Sequence, residues 1–257
     1  MPKPPNRNPI ISERFKSKQR LADICEIHRA LSIYHRADSD DYFEIRALRV
    51  LRRGAVVSGV FHASQITEAA EAAAGLSGRA EAVYFTPNPV SAEIRARAPG
   101  CLADFTKITT SDAEITRRSW LLIDFDANRP PGISSTDAEH EAALDRAAIV
   151  AEDLRRDRGF PLPLRANSGN GGHLSYRVDL PNDNDTTELF RRFLEALSRR
   201  YSDAHVKIDT SVFNAARIWK LPGTMACKGA DMPERPHRIA RLIDVPKEME
   251  VVKWRVA

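Results

Sequence analysis

Cysteine is scarce in this 257-residue chain: Cys25, Cys101 and Cys227 are the only three, and they stand far apart. That spacing excludes a disulfide framework and a zinc site of Cys-x-x-Cys type. Long apolar runs are missing too. No stretch approaches the roughly 20 apolar residues that a membrane-spanning helix requires. The opening Met-Pro-Lys-Pro-Pro-Asn-Arg-Asn-Pro lacks the apolar core of a signal peptide. A cytoplasmic setting without a membrane partner is the expectation. No His-x-His pair occurs, so the metal site of a rolling-circle initiator is not available. No Gly-Lys-Ser/Thr run opens a helix, which removes a Walker A loop. No internal repeat or long linker is present. Against these absences, 42% hydrophobic and 29% charged residues suit a soluble chain that can bury a sizeable core, as one large or two closely joined domains.

The net charge of +4 is small, but it is unevenly placed. Residues 151–257 hold 19 Lys+Arg against 15 Asp+Glu, while residues 1–150 hold 20 of each. Between Ala215 and Arg241 lie Arg217, Lys220, Lys228, Arg235, Arg238 and Arg241, against only Asp231 and Glu234. Such a run is a candidate footprint for a triphosphate or a nucleic-acid backbone. For Arg235, Arg238 and Arg241 a basic surface loop is an equal alternative.

Three segments carry chemistry. The first is Trp120-Leu-Leu-Ile-Asp-Phe-Asp126, an apolar run that ends in two acids. A strand alternates its side chains, so Asp124 and Asp126 share one face and Phe125 takes the other. Two neighbouring carboxylates repel unless a cation lies between them, and oxygen ligands suit Mg²⁺ or Mn²⁺. Taken alone, the pair also reads as two solvated acids at a strand end. The second segment is Asn167-Ser-Gly-Asn-Gly-Gly-His173, which runs into the alternating Leu174 to Asp179. Its glycines let backbone N–H groups approach an anion, and Ser168 and His173 can donate to phosphate oxygens. A plain glycine-rich hairpin is the alternative. The third places Asp209 after Val206-Lys-Ile, as a third carboxylate, with Arg217 and Lys220 behind it as phosphate-binding cations.

The remaining pattern predicts mixed α and β elements. Residues 1–11 read as a flexible, Pro-rich tail. Ser12 is placed to cap a helix reaching about Leu31, with Phe15, Ile24, Ile27 and Leu31 as its apolar stripe. Strands are expected near 42–50, 55–61, 80–86, 119–126, 173–179 and 236–243. The alanine-rich 64–74 reads as helix. Thr136-Asp-Ala-Glu139 and Asp185-Thr-Thr-Glu188 both look like helix starts. Arg191, Arg192, Arg199 and Arg200 then fall on an outward, solvated helix face. Strict βαβ alternation is absent, which favours α+β over a doubly wound sheet.

The ordered set Asp124-x-Asp126, Ser168-Gly-Asn-Gly-Gly-His173, and Asp209 followed by Asn214-Ala-Ala-Arg217 and Leu221-Pro-Gly-Thr224 resembles the archaeo-eukaryotic primase (AEP) superfamily. The likeness is closest to the primase-polymerase (prim-pol) domains of bacterial phages, plasmids and mobile elements. Phe43-Glu-Ile-Arg-Ala47, Tyr84-Phe-Thr-Pro-Asn-Pro89 and Lys228-Gly229 extend it over residues 40–243. The resemblance implies an RRM-like catalytic sheet joined to a smaller N-terminal α/β module. The catalytic unit would span 12–257, with modules of about 12–110 and 111–257. It implies template-directed nucleotidyl transfer, as DNA primase or polymerase, with two Mg²⁺ or Mn²⁺ ions on Asp124, Asp126 and Asp209. Ser168, His173, Arg217, Lys220 and Lys228 would bind the nucleotide. The implied partners are a single-stranded DNA template, a primer strand, dNTP or NTP, and a replicative helicase in cis or in trans. The alternative is a non-catalytic or nuclease-type nucleic-acid-binding domain on the same fold.

Overall fold

The structure is a computed structural model that describes residues 21–50, 55–97 and 100–254. The expected tail and the Ser12 and Phe15 end of the first helix lie outside the described residues. Helix α1 runs Ile24–Tyr34, and its cap is Asp23, whose side chain accepts the Glu26 N–H. Strands β1 (Tyr42–Val50) and β2 (Ala55–His62) follow as an antiparallel pair. Helix α2 (Ile66–Leu76) then turns five buried apolar side chains inward, three of them alanines that let it lie close to its neighbours. Strand β3 (Ala82–Phe85) pairs with β1.

The second half opens with β4 (Arg117–Ala127), followed by α3 (Asp137–Arg158), β5 (Leu164–Asn167), β6 (Gly171–Pro181), α4 (Asn184–Tyr201) and β7 (Val206–Ile208). This is a β-α-β-β-α-β order, the ferredoxin-like unit to which RRM sheets belong. Short pairs close the chain: β8 (Trp219–Lys220), β9 (Met225–Ala226), β10 (Arg238–Ile239) and β11 (Arg241–Asp244). The five-stranded sheet has the order β11-β5-β6-β4-β7, and every pairing in it is antiparallel. The four-stranded sheet has the order β2-β1-β3-β8. Strand β8 therefore leaves the second half of the chain and completes the sheet of the first.

The two faces of β4 do different work. Leu121, Ile123 and Phe125 are fully buried, and α3 packs against the Gly172 that stands opposite Phe125. Trp120, Leu122, Asp124 and Asp126 take the other face. There Tyr34 of α1 lies 4.5 Å from the Trp120 ring and 4.8 Å from Phe85 of the first sheet. One continuous apolar core thus joins both sheets. Burying each such large side chain contributes about 1.5–3 kcal/mol, so the junction is as firm as either sheet. Asn88 adds a polar joint at this seam. Its side chain accepts from Ser119 N and Trp120 N and donates to the Ala215 carbonyl.

Three expectations need correction. The strand expected over 236–243 is two strands, because β10 pairs with β9 and β11 pairs with β5. Ala240 between them bonds instead to Gly223 and Thr224. Helix α4 is capped by Asp183 rather than Asp185, since Asp183 has the extended backbone and accepts from Thr186 N. The third concerns the basic run, described with the site. The arginine face of α4 is laced by pairs with Glu188 and Glu195, as a solvated face should be.

Candidate active site

A cavity of about 370 Å³ opens where the two sheets meet, and all eight candidate residues line it: Asp124, Asp126, Ser168, His173, Asp209, Arg217, Lys220 and Lys228. The register explains the convergence. Asp124 stands opposite His173 across the β4–β6 ladder, and Asp126 opposite Gly171. On the other edge β7 pairs with β4 at Phe125 and Ile208, and the Asp209 N–H bonds to the Asp124 carbonyl at 3.0 Å. Residues far apart in sequence are thus set by three adjacent strands. Asp209 also starts a short 3-10 turn over Thr210–Phe213, capping it through Ser211 N at 2.8 Å.

Each carboxylate faces a nitrogen group of its own. His173 Nε2 lies 3.4 Å from Asp124, Arg129 Nη1 3.4 Å from Asp126, and Arg217 Nη2 3.6 Å from Asp209. Burial pushes the Asp124 carboxyl up, but His173, Arg217 and Arg129 outweigh it and hold Asp124 below its ordinary value. Asp126 is pushed above its ordinary value, first by the charge of Asp124 beside it and then by burial. Two carboxylates this close repel, and a cation between them would relieve that repulsion. The pair Asp124 and Asp126 therefore fits a hard divalent ion by charge and by oxygen chemistry. Among the described residues, no set of three His, Cys, Asp or Glu side chains is gathered closely enough to hold a metal. Asp209 shares the cavity and remains turned to Arg217 and Ser211.

The basic shell is more constrained than its sequence suggests. The His173 ring is buried and stacked on Trp219, with centroids 3.7 Å apart. Lys220 is also buried, and its Nζ donates to Thr224 Oγ1 at 2.6 Å and to the Met225 carbonyl at 2.9 Å. Burial pushes its pKa down to about 7. Arg217 donates to Ser211 Oγ at 2.6 Å and keeps a buried Nε without a partner.

The glycine-rich loop corrects the sequence reading. It is the hairpin between β5 and β6, and its N–H groups serve the hairpin itself. Gly169 N donates to Asn167 Oδ1 at 2.5 Å, and Gly171 N to Ser168 Oγ at 3.0 Å. Ser168 Oγ in turn donates back to the Gly171 carbonyl. The glycines answer to packing. A Cβ on Gly171 would strike the Phe125 carbonyl, and one on Gly172 would press on α3. Only Gly169, at φ +90, needs the left-handed region for its turn.

Half of the basic run is tied up elsewhere. Arg235 pairs with Glu139 at 2.7 Å and Arg238 with Asp137 at 2.5 Å, both in the first turn of α3, while Arg241 pairs with the α1 cap Asp23. These three fasten helix starts, where acids are already favoured, and leave only Arg217, Lys220 and Lys228 at the cavity. Sequence reasoning missed Arg129, Tyr84 and Trp219, which also line it. Arg129, three residues past Asp126, was the one with a local signal. Burial and the charges of Glu81, Asp124 and Asp126 push the Tyr84 phenol up to about 12.

Fold and site define a mixed α/β protein of antiparallel sheets with a carboxylate and cation cavity at their junction. No protein-family profile matches the chain, and no curated protein matches it. Among solved structures, a crystal structure of primase RepB′ is similar at 11% identity and a TM-score of 0.48. The match covers 85% of this chain and 56% of that one, so this chain spans little more than half of its length. The catalytic domain of primase RepB′ in complex with initiator DNA is similar at 14% identity and a TM-score of 0.45, covering 85% of both chains. The functional reading below stands on the cavity and its side chains.

Proposed function

We propose that this chain is a nucleotidyltransferase of archaeo-eukaryotic primase type, which extends or starts a DNA strand on a single-stranded template in the replication of a phage, plasmid or other mobile element. The observation that carries the reading is that Asp124, Asp126 and Asp209 face one cavity together with His173, Arg217, Lys220 and Lys228. Asp124 and Asp126 would hold Mg²⁺ or Mn²⁺, joined by Asp209 once it turned from Arg217, and the ion would supply charge stabilisation of the attacking and leaving oxygens. The chain's own residues bind and orient. Arg217 offers a planar fork to a phosphate, and Lys220 and Lys228 offer point charges. Trp219 holds the His173 ring in one plane, so Nε2 has a fixed direction toward either Asp124 or a phosphate oxygen. Turning Asp209 toward the other carboxylates would free Arg217 for the nucleotide. The primer strand, template, dNTP or NTP and a helicase in cis or in trans are the partners this reading requires.

The test is incorporation of labelled nucleotides by purified chain on a single-stranded template, with Mg²⁺ or Mn²⁺, with and without primer. Incorporation that disappears in Asp124→Ala and in Asp126→Ala is the expected result. Equal incorporation in folded Asp124→Ala would remove the assignment. The separation of the three carboxylates onto His173, Arg129 and Arg217 favours a second reading, a nucleic-acid-binding domain that is non-catalytic or of nuclease type. The same reactions distinguish it, through template retention or template cleavage without incorporation.

A further inference from the structure

A second cavity, of about 300 Å³, lies at the opposite end of the same sheet face. Its floor is Arg177 of β6, which stands across the ladder from Trp120 of β4. Trp120 and Asp124 lie four positions apart on that strand, so the two cavities are about 13 Å apart at roughly 3.3 Å per residue. Tyr34, bonded to Ser175 at 2.6 Å and buried between them, keeps the two apart.

Among the described residues, Arg177 is half-buried and unpaired, whereas the other unpaired arginines Arg29, Arg95 and Arg158 are exposed. Its guanidinium lies over the Trp120 ring at 5.3 Å and makes no hydrogen bond or ion pair among the described residues. The acids around it are mostly taken. Asp179 pairs with Arg117, and Asp38 pairs with Arg36 at 2.8 Å. Arg36 also lines the cavity, as does the buried Ser119. The Arg36–Asp38 pair is on the surface, and such pairs contribute little, so Arg36 is free to turn inward. Asp41 is the one acid on the wall. A half-buried guanidinium that opens on a cavity and has no protein acceptor is placed to take an oxyanion there. A tetrahedral phosphate points its acceptor oxygens in several directions, which suits Arg177, Arg36 and the Ser119 hydroxyl on different walls better than a planar carboxylate does.

We propose that the cavity between Arg177, Arg36 and Ser119 is a second phosphate-binding site, separate from the carboxylate cavity. The phosphate comes either from a free nucleotide or from a nucleic-acid backbone. Phosphate binding at Arg177 requires no nucleotidyl transfer at the other cavity.

The experiment uses the full chain in EDTA, so that no divalent ion draws phosphate to the carboxylates. Inorganic phosphate, a nucleoside monophosphate and a short thymidine oligonucleotide are each titrated by calorimetry. Saturable binding of at least one is expected, and which one binds tightest names the source. Arg177→Gln should weaken it by tenfold or more, and Arg177→Lys by less, because the charge remains and the fork does not. Asp41→Asn removes a repelling charge from a half-buried position without disturbing the core, and should tighten binding by about three- to tenfold. Circular dichroism checks that each variant is folded. No saturable binding to folded wild-type chain overturns the proposal, and so does an unchanged affinity in Asp41→Asn. A failure here leaves the incorporation assay untouched, and a chain that incorporates nothing can still bind phosphate at Arg177.

Discussion

Lys220 shows how much one buried side chain can set. Its pKa is pushed down to about 7 by burial, so the group loses its proton over the neutral range. Triphosphate affinity should therefore fall as pH rises from 6 to 8. Calorimetry at several pH values on wild type and Lys220→Arg checks this, because an arginine stays charged and should flatten the slope. The same shift runs the other way for folding. The unfolded chain binds the proton up to its ordinary pKa, so this residue makes stability rise with pH from about 7 toward that value. The two strand acids behave oppositely. Asp126 is raised above its ordinary value by Asp124, so its ionised form weakens the fold, and the penalty vanishes as pH falls through its folded pKa. Asp124 is held low, so its contribution is present above the unfolded pKa and is lost as pH falls through the folded one. In metal-free buffer at neutral pH, Asp126→Asn should raise Tm and Asp124→Asn should lower it. Equal shifts in thermal melts would show that the pair is not coupled.

At the scale of elements, local signals succeeded wherever the chain carries its own cap or its own alternation. Helix α3 starts at the reciprocal capping box of Thr136 and Glu139. Thr136→Ala should then cost about 1 kcal/mol, read as a drop of roughly 2–4 °C in Tm at this size. Strand β4 was legible as an apolar run ending in Asp124-Phe-Asp126, and the run out of His173 because apolar and polar residues alternate in it. Strands β5, β7, β8 and β9 were not. They are two to four residues long, and partners far away in sequence create them: β8 exists because Tyr84 and Phe85 pair with Lys220 and Trp219. The site was legible in its membership, since chemistry-bearing residue types mark themselves. Its internal wiring was not. Nothing local in the sequence says that Ser168 closes its own hairpin or that Arg235 and Arg238 hold the start of α3, because those partners are chosen by the fold.

For the whole molecule, the decisive feature is that β8 returns to the first sheet while Asp209, eleven residues before Lys220, stays with the second. One cluster of buried apolar residues spans both sheets. Calorimetric unfolding should accordingly give one transition whose measured and van't Hoff enthalpies agree. Two resolved transitions would mean that the halves fold independently. That cooperativity also governs how the protein ages. The hairpin tip is Asn170-Gly171, the dipeptide most prone to deamidation, because the Gly171 nitrogen can attack the Asn170 amide to form a succinimide. In the fold both partners are held: the Asn170 Oδ1 accepts from Ser135 N at 2.9 Å, and the Gly171 N–H is on Ser168 Oγ. Deamidation therefore waits for opening of the hairpin. Mass spectrometry of the Asn170 peptide, after incubation at alkaline pH, should show slow conversion in native chain and fast conversion in urea, and equal rates would mean that the tip opens freely. Each conversion places a new carboxylate beside Asp124 and Asp126, so the chemical lifetime of the cavity is set by how rarely its own hairpin breathes.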